Sequence, residues 1–182
     1  MSFSYNEYRQ IVDRISEHIP IVSFDSVNNS TEKYCVIRHD VEFSIERALQ
    51  LAIVEYAHNI KSTYVFQICN NNYNPFSHKN KSYILEIAKL GHDIGVHVHL
   101  GNFNESDQSI EQYIIKQAQL LSMALDLPIN KFSLHRPLQK HIETPLQIPG
   151  YINMNASEFF TFTKDFSIYD LPVLYLADSN HD

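Results

Sequence analysis

Runs of β-branched and aromatic residues alternate along this chain with stretches whose apolar residues recur at three and four, a pattern that restricts it to a parallel sheet or barrel wrapped by helices. Residues 34–40 read as a strand, and Ser44 can cap a helix carrying Ile45, Ala48, Leu49, Ala52, Ile53 and Tyr56 on one side. Residues 62–68 form the next strand, 70–75 an Asn-rich loop, and about 80–90 a helix stopped by Gly91. A strand at 91–100 is followed by a polar loop at 101–107 and a helix to about 126, opened by the capping box Ser109 and Gln112. Residues 132–137 make a fourth strand that Pro137 ends. A helix over 5–18 and a short strand at 21–25 precede this series. After it come a helical turn near 142–147, an extended piece near 151–162 and a last strand at 172–177.

No repeat or linker divides the sequence, so residues 1–182 are expected to form a single domain. Twenty-one acidic residues against 14 basic ones, a net charge of -7, and the lack of a basic run speak against nucleic acid as a partner. No stretch is long and apolar enough for a membrane, and the first residues lack a basic start before an apolar segment. The expectation is a cytoplasmic protein. Cys35 and Cys69 lack Cys-x-x-Cys spacing and read as buried reduced thiols.

Chemistry gathers where strands end. In parallel α/β folds the carboxyl ends of strands carry functional groups, because the loops that follow are free to vary. Three strands here finish on polar residues: Arg38, His39, Asp40 and Glu42; then His97 and His99; then His135 and Arg136. His135 taken alone reads as a satisfied core histidine. Three polar strand ends together are harder to attribute to packing, since an unpaired buried polar group costs roughly 1–3 kcal/mol.

His97 and His99 are two apart on a strand and so share a face, close enough to hold one ion. With Asp40 as carboxylate they make a metal set with an open position for water, which suits zinc and also cobalt, nickel or iron. Glu42 or His39 can act as general base on that water, and Arg136 can orient the base or steady an oxyanion. Glu42 reads equally well as a first-turn acid favoured by the helix dipole, and Arg136 as an ion-pair partner of Asp40 or Glu42.

Arg38-His-Asp40-Val-Glu42, Gly91-His-Asp-Ile-Gly-Val-His97-Val-His99 and Ser133-Leu-His135-Arg136-Pro137 resemble, in order and spacing, the motifs of the polysaccharide deacetylase-like family of the carbohydrate esterase superfamily. The resemblance covers residues 36–137, and Asp178-Ser179 is similar to a later Asp-Ser element. It implies a distorted (β/α) barrel of about seven strands and a metal-dependent hydrolase that removes an acetyl or other acyl group from a small carbohydrate or sugar-derived substrate. It further implies Asp40 as metal carboxylate, His97 as first metal imidazole, Arg136 as the residue that orients the base and Asp178 as support.

The sequence departs from the family pattern in three places. His39 stands where the family has the first of two adjacent aspartates, its base, Gly101 stands where it has a second metal histidine, and no late histidine follows Asp178 before His181-Asp182. The second departure makes His99 the substitute ligand. The third implies a domain without its C-terminal part, or one without its general acid. Two other readings follow from these motifs: a catalytically degenerate carbohydrate-binding relative of the same fold, and a metal-dependent phosphoesterase.

Overall fold

The computed structural model describes residues 4–27, 33–104, 108–138, 140–141 and 144–159. Five parallel strands, β1 (Arg38–Val41), β2 (Thr63–Phe66), β3 (Asp93–His99), β4 (Lys131–His135) and β5 (Ile152–Asn153), lie side by side in chain order. Helix α1 (Tyr5–Ser16) precedes the sheet, and α2 (Ile45–Ala57), α3 (His78–Lys89) and α4 (Ile110–Leu125) connect successive strands through β4. Among the described residues the sheet stays open. The seven-strand barrel therefore remains an expectation, and its last strand at 172–177 falls outside the described residues. No helix of the described residues is long and apolar enough to cross a membrane.

Serine starts every one of these helices. Ser4, Ser44, Ser77 and Ser109 each accept a backbone N–H from the first turn, and Ser4 with Glu7 and Ser109 with Gln112 complete reciprocal capping boxes. After α3, Gly91 takes a positive φ of 95°, and Asp126 ends α4 in the left-handed region.

Parallel register sorts the strand residues onto two faces. His39, Val41, Tyr64, Phe66, Ile94, Val96, Val98, Phe132 and Leu134 lie on the helix side, where all but His39 belong to or abut the main core with Ile45, Ile84, Ile87, Ile114 and Leu121. The other face carries Arg38, Asp40, Val65, Gly95, His97, Ser133 and His135. Its apolar part is small, with Val65 packed against Phe24 and Met154. Gly95 is required there: a Cβ would come within 2.9 Å of the Lys131 carbonyl and of Val65.

Three sequence expectations change. Residues 21–25 give a single bridge, Ile21 to Cys35, and a 3-10 turn at Phe24–Ser26 that drops Phe24 under the sheet, in place of a strand. Of the extended piece expected at 151–162, residues 160–162 fall outside the described residues, and Ile152–Asn153 form β5. There Asn155 Oδ1 accepts the Leu134 N–H at 2.6 Å, so a side chain replaces the next ladder bond. Cys35 is half-buried and Cys69 exposed, so Cys69 is no core thiol.

Candidate metal centre

At the carboxyl end of the non-helical face, β3 and β4 bring His97 and His135 together. In register, His97 faces Ser133 and His99 faces His135. Glu42, one residue beyond β1, reaches across to both imidazoles that meet there: its Oε1 lies 2.7 Å from His135 Nδ1 and 3.2 Å from His97 Nε2. The two ring nitrogens are 3.3 Å apart. Donor atoms of Glu42, His97 and His135 all fall within 4.8 Å of one another, so these three can hold a metal ion.

Burial and hydrogen bonding suit that use. His97 is 1% exposed, and its Nδ1 sits 2.7 Å from Ser133 Oγ, itself fully buried. With an ion present, a proton on Nδ1 donated to that hydroxyl would leave the Nε2 lone pair for the ion; without one, Nε2–H can donate to Glu42. Glu42 is held down at about 2, first by the hydrogen bond from His97 and then by the charges of His135 and His97, against partial burial. His135 is shifted down by its own burial, opposed by Glu42. Both shifts favour the forms that bind metal, a carboxylate and a neutral imidazole.

Asp40 stands at the edge of this group. Its Oδ2 is 3.9 Å from His97 Nε2, while Arg38 grips both oxygens, Nε to Oδ1 at 2.9 Å and Nη2 to Oδ2 at 3.1 Å. Arg38 also donates to the Met154 carbonyl at 3.0 Å, which ties the pair to the chain beyond β5. The arginine beside the carboxylate is therefore Arg38. Arg136 is exposed at a φ of 50° just after β4 and makes no hydrogen bond or ion pair with a described residue.

His99 lies outside the converging set. It is exposed, its ring stacks on His135 with centroids 4.9 Å apart, and its Nδ1 accepts the Gly101 N–H at 2.9 Å. His39 is turned away altogether, because strand alternation sends it to the face opposite Arg38 and Asp40. There its Nε2 is 2.8 Å from Glu55. Asp178 falls outside the described residues. Sequence reasoning passed over His135, Ser133 and Arg38 as members of this site. Their signal was position: each lies at or near a strand end, an even number of residues from Asp40 or on the strand beside His97.

No family model matches this sequence, and no curated protein matches it. The fold is similar to that in the structure of IcaB from Ammonifex degensii, with a TM-score of 0.55 and 15% identity over 82% of this chain and 70% of that one. The Streptococcus pyogenes deacetylase PplD in complex with acetate aligns with a TM-score of 0.49 and 13% identity, over 71% of this chain and 61% of that one.

Proposed function

We propose that this protein is a metal-dependent hydrolase that removes an acetyl or other acyl group from an amino sugar or sugar-derived substrate. The observation that carries the reading is the convergence of Glu42, His97 and His135 within 4.8 Å at the carboxyl end of a parallel sheet. The motif resemblance to polysaccharide deacetylases and the fold shared with IcaB support it.

Glu42, His97 and His135 would hold a divalent ion, zinc by the chemistry of two imidazoles and a carboxylate, with cobalt, nickel and iron as chemical alternatives. Such an ion supplies a Lewis acid for the carbonyl and makes water a nucleophile near neutral pH. Ser133 fixes the His97 tautomer. Asp40, gripped by Arg38 and 3.9 Å from His97, would take the proton from the attacking water. Water adds to the acyl carbon, the C–N or C–O bond breaks, and the leaving amine or hydroxyl takes up a proton. Arg136, exposed beside His135, would meet the oxyanion or the substrate's polar groups.

A phosphoesterase that clamps phosphate oxygens between two metals needs more ligands than the one metal-competent cluster found among the described residues. Measured metal content and acetate release from N-acetyl sugars test the proposal together. The expected result is one bound ion per chain, with affinity about 100- to 1,000-fold weaker in His97→Ala, since the roughly 10–16 kcal/mol of a tight zinc site is shared among about four ligands. A protein that takes up no zinc, cobalt or nickel overturns the reading. Metal bound without turnover selects the carbohydrate-binding alternative.

A further inference from the structure

We propose that the loop between β2 and α3 is a positioning device for Glu42, with Asn70, Asn72 and Tyr73 acting on the backbone that carries it. The inference rests on reading Glu42 as a metal ligand.

β1 and β2 stop pairing at Val41 and Phe66, so the carbonyls of Val41 and Glu42 have no strand partner. The Asn-rich loop supplies one for each. Tyr73 inserts its hydroxyl between the two strands, accepting the Gln67 N–H at 2.9 Å and donating to the Val41 carbonyl. One hydroxyl thus stands where a direct ladder bond would lie. The Glu42 carbonyl then accepts from both Asn70 Nδ2 and Asn72 Nδ2, each at 3.0 Å.

Asn70 has its orientation fixed on every side. Its second amide proton goes to Gln67 Oε1 at 2.8 Å, and its Oδ1 accepts the Asn72 N–H at 2.6 Å. Gln67 is itself buried. The peptide on either side of Glu42 is therefore held by three side chains of one loop, while the Glu42 side chain is free to face β3 and β4. A carboxylate on an unpaired strand end has many orientations, and a ligand loses affinity with each one it must give up on binding. This loop removes those orientations before the ion arrives. Groups that orient ligands in this way are commonly worth 10- to 100-fold in metal affinity.

Cobalt(II) titration of the whole chain, followed by visible absorption and paired with the thermal midpoint of the metal-free protein, tests this. Tyr73→Phe and Asn70→Ala should each weaken cobalt binding by about 10- to 100-fold and change the ligand-field bands, which report the geometry at the ion. Asn72→Ala, at an exposed position, should fold normally and weaken it by about threefold, because Asn70 still holds the same carbonyl. Ile87→Val, in the helix layer of the core, lowers stability without removing any hydrogen bond of this loop and should leave affinity and spectrum unchanged. Wild-type affinity in all three loop variants, alongside a large loss in Glu42→Gln, overturns the positioning role and leaves the ligand assignment standing. An equal loss in Ile87→Val overturns it too, by reducing the effect to general stability. Cobalt binding that survives Glu42→Gln removes the ligand assignment, and the positioning role with it.

Discussion

Two glutamates in this protein each gather two histidines, and they are built for opposite ends. Glu55, on α2, is fully buried on the helix side of the sheet and takes hydrogen bonds from Tyr8, from His39 at 2.8 Å, and from Ser62 and Tyr64 at 2.6 Å each, with His92 Nδ1 at 3.7 Å. Glu42 keeps about a third of its side chain exposed and meets His97 and His135 through the same single oxygen. Residue types alone do not separate them, since both are a carboxylate with two imidazoles and both are held at about 2. What separates them is the count of donors. Hydroxyl protons occupy both oxygens of Glu55, so it has no lone pair open to a solvent-borne ion, whereas Glu42 meets its two imidazoles through one oxygen and takes no hydroxyl donor among the described residues. One cluster pins α1, α2, β1 and β2 together, and the other is the one we propose to hold an ion.

The sharpest break of this contrast is Glu55→Gln. The amide keeps the volume but turns a donor toward the hydroxyls, and breaking a saturated buried carboxylate should cost about 3 kcal/mol in urea unfolding at neutral pH. Metal affinity of the folded variant should be unchanged. The pH profile carries the same test. Burial pushes Glu55 up, and the hydrogen bonds of His39, Ser62 and Tyr64 with the His39 charge outweigh it, leaving about 2 against an ordinary 4.5. A carboxyl depressed on folding stabilises the native state above its unfolded value and stops doing so as pH falls through the folded one. Wild-type stability should therefore decline from about pH 4.5 toward pH 2, and that part of the decline should vanish in Glu55→Gln. An unchanged acid profile in the variant would show that Glu55 is not the group responsible.

A smaller effect is expected from Ser133→Ala, which sharpens the other half of the comparison. The Ser133 hydroxyl has no role in the Glu55 network; among the described residues it partners His97 Nδ1, at 2.7 Å. Removing it frees the imidazole to take the wrong tautomer, and metal affinity should fall by about 10- to 100-fold with a stability loss near 1 kcal/mol. Isothermal titration with zinc reads the first number and urea unfolding the second. A stability loss with intact affinity would make Ser133 a packing residue.

Much of this contrast was written in strand parity. Asp40 and Glu42 stand on one side of β1 and His39 on the other because side chains alternate, so the exclusion of His39 from the metal group is readable from position 39 alone. Helix starts were equally legible, because a serine before an apolar period has one efficient use there. The ligand set was less so. His97, His99 and His135 all occupy the correct face, and only the register that sets His97 beside Ser133 and His99 beside His135 decides which pair Glu42 reaches. Register depends on loops and on the packing of α4, which no local pattern encodes. Arg38 was obscured for a related reason: a second arginine, Arg136, matched a family motif, while the Arg38 contact follows from the simple i to i+2 rule on β1.

His99→Ala probes the point at which sequence and geometry part. The sequence makes His99 the second imidazole; the structure leaves it exposed, stacked on His135 and with Nδ1 occupied by the Gly101 N–H. Were His99 a ligand, its loss would match that of His97, about 100- to 1,000-fold. As a stacking neighbour it contributes only ring contact to His135, worth about 0.5–1.5 kcal/mol when well packed. The expected fall in zinc affinity is therefore about threefold, the smallest of the series, while His135→Ala should lose nearly as much as His97→Ala. A reversal of those two results would place the ion over β3 alone, return Glu42 to the loop as a first-turn acid, and make the two glutamate clusters unlike in their histidines as well as in their donors.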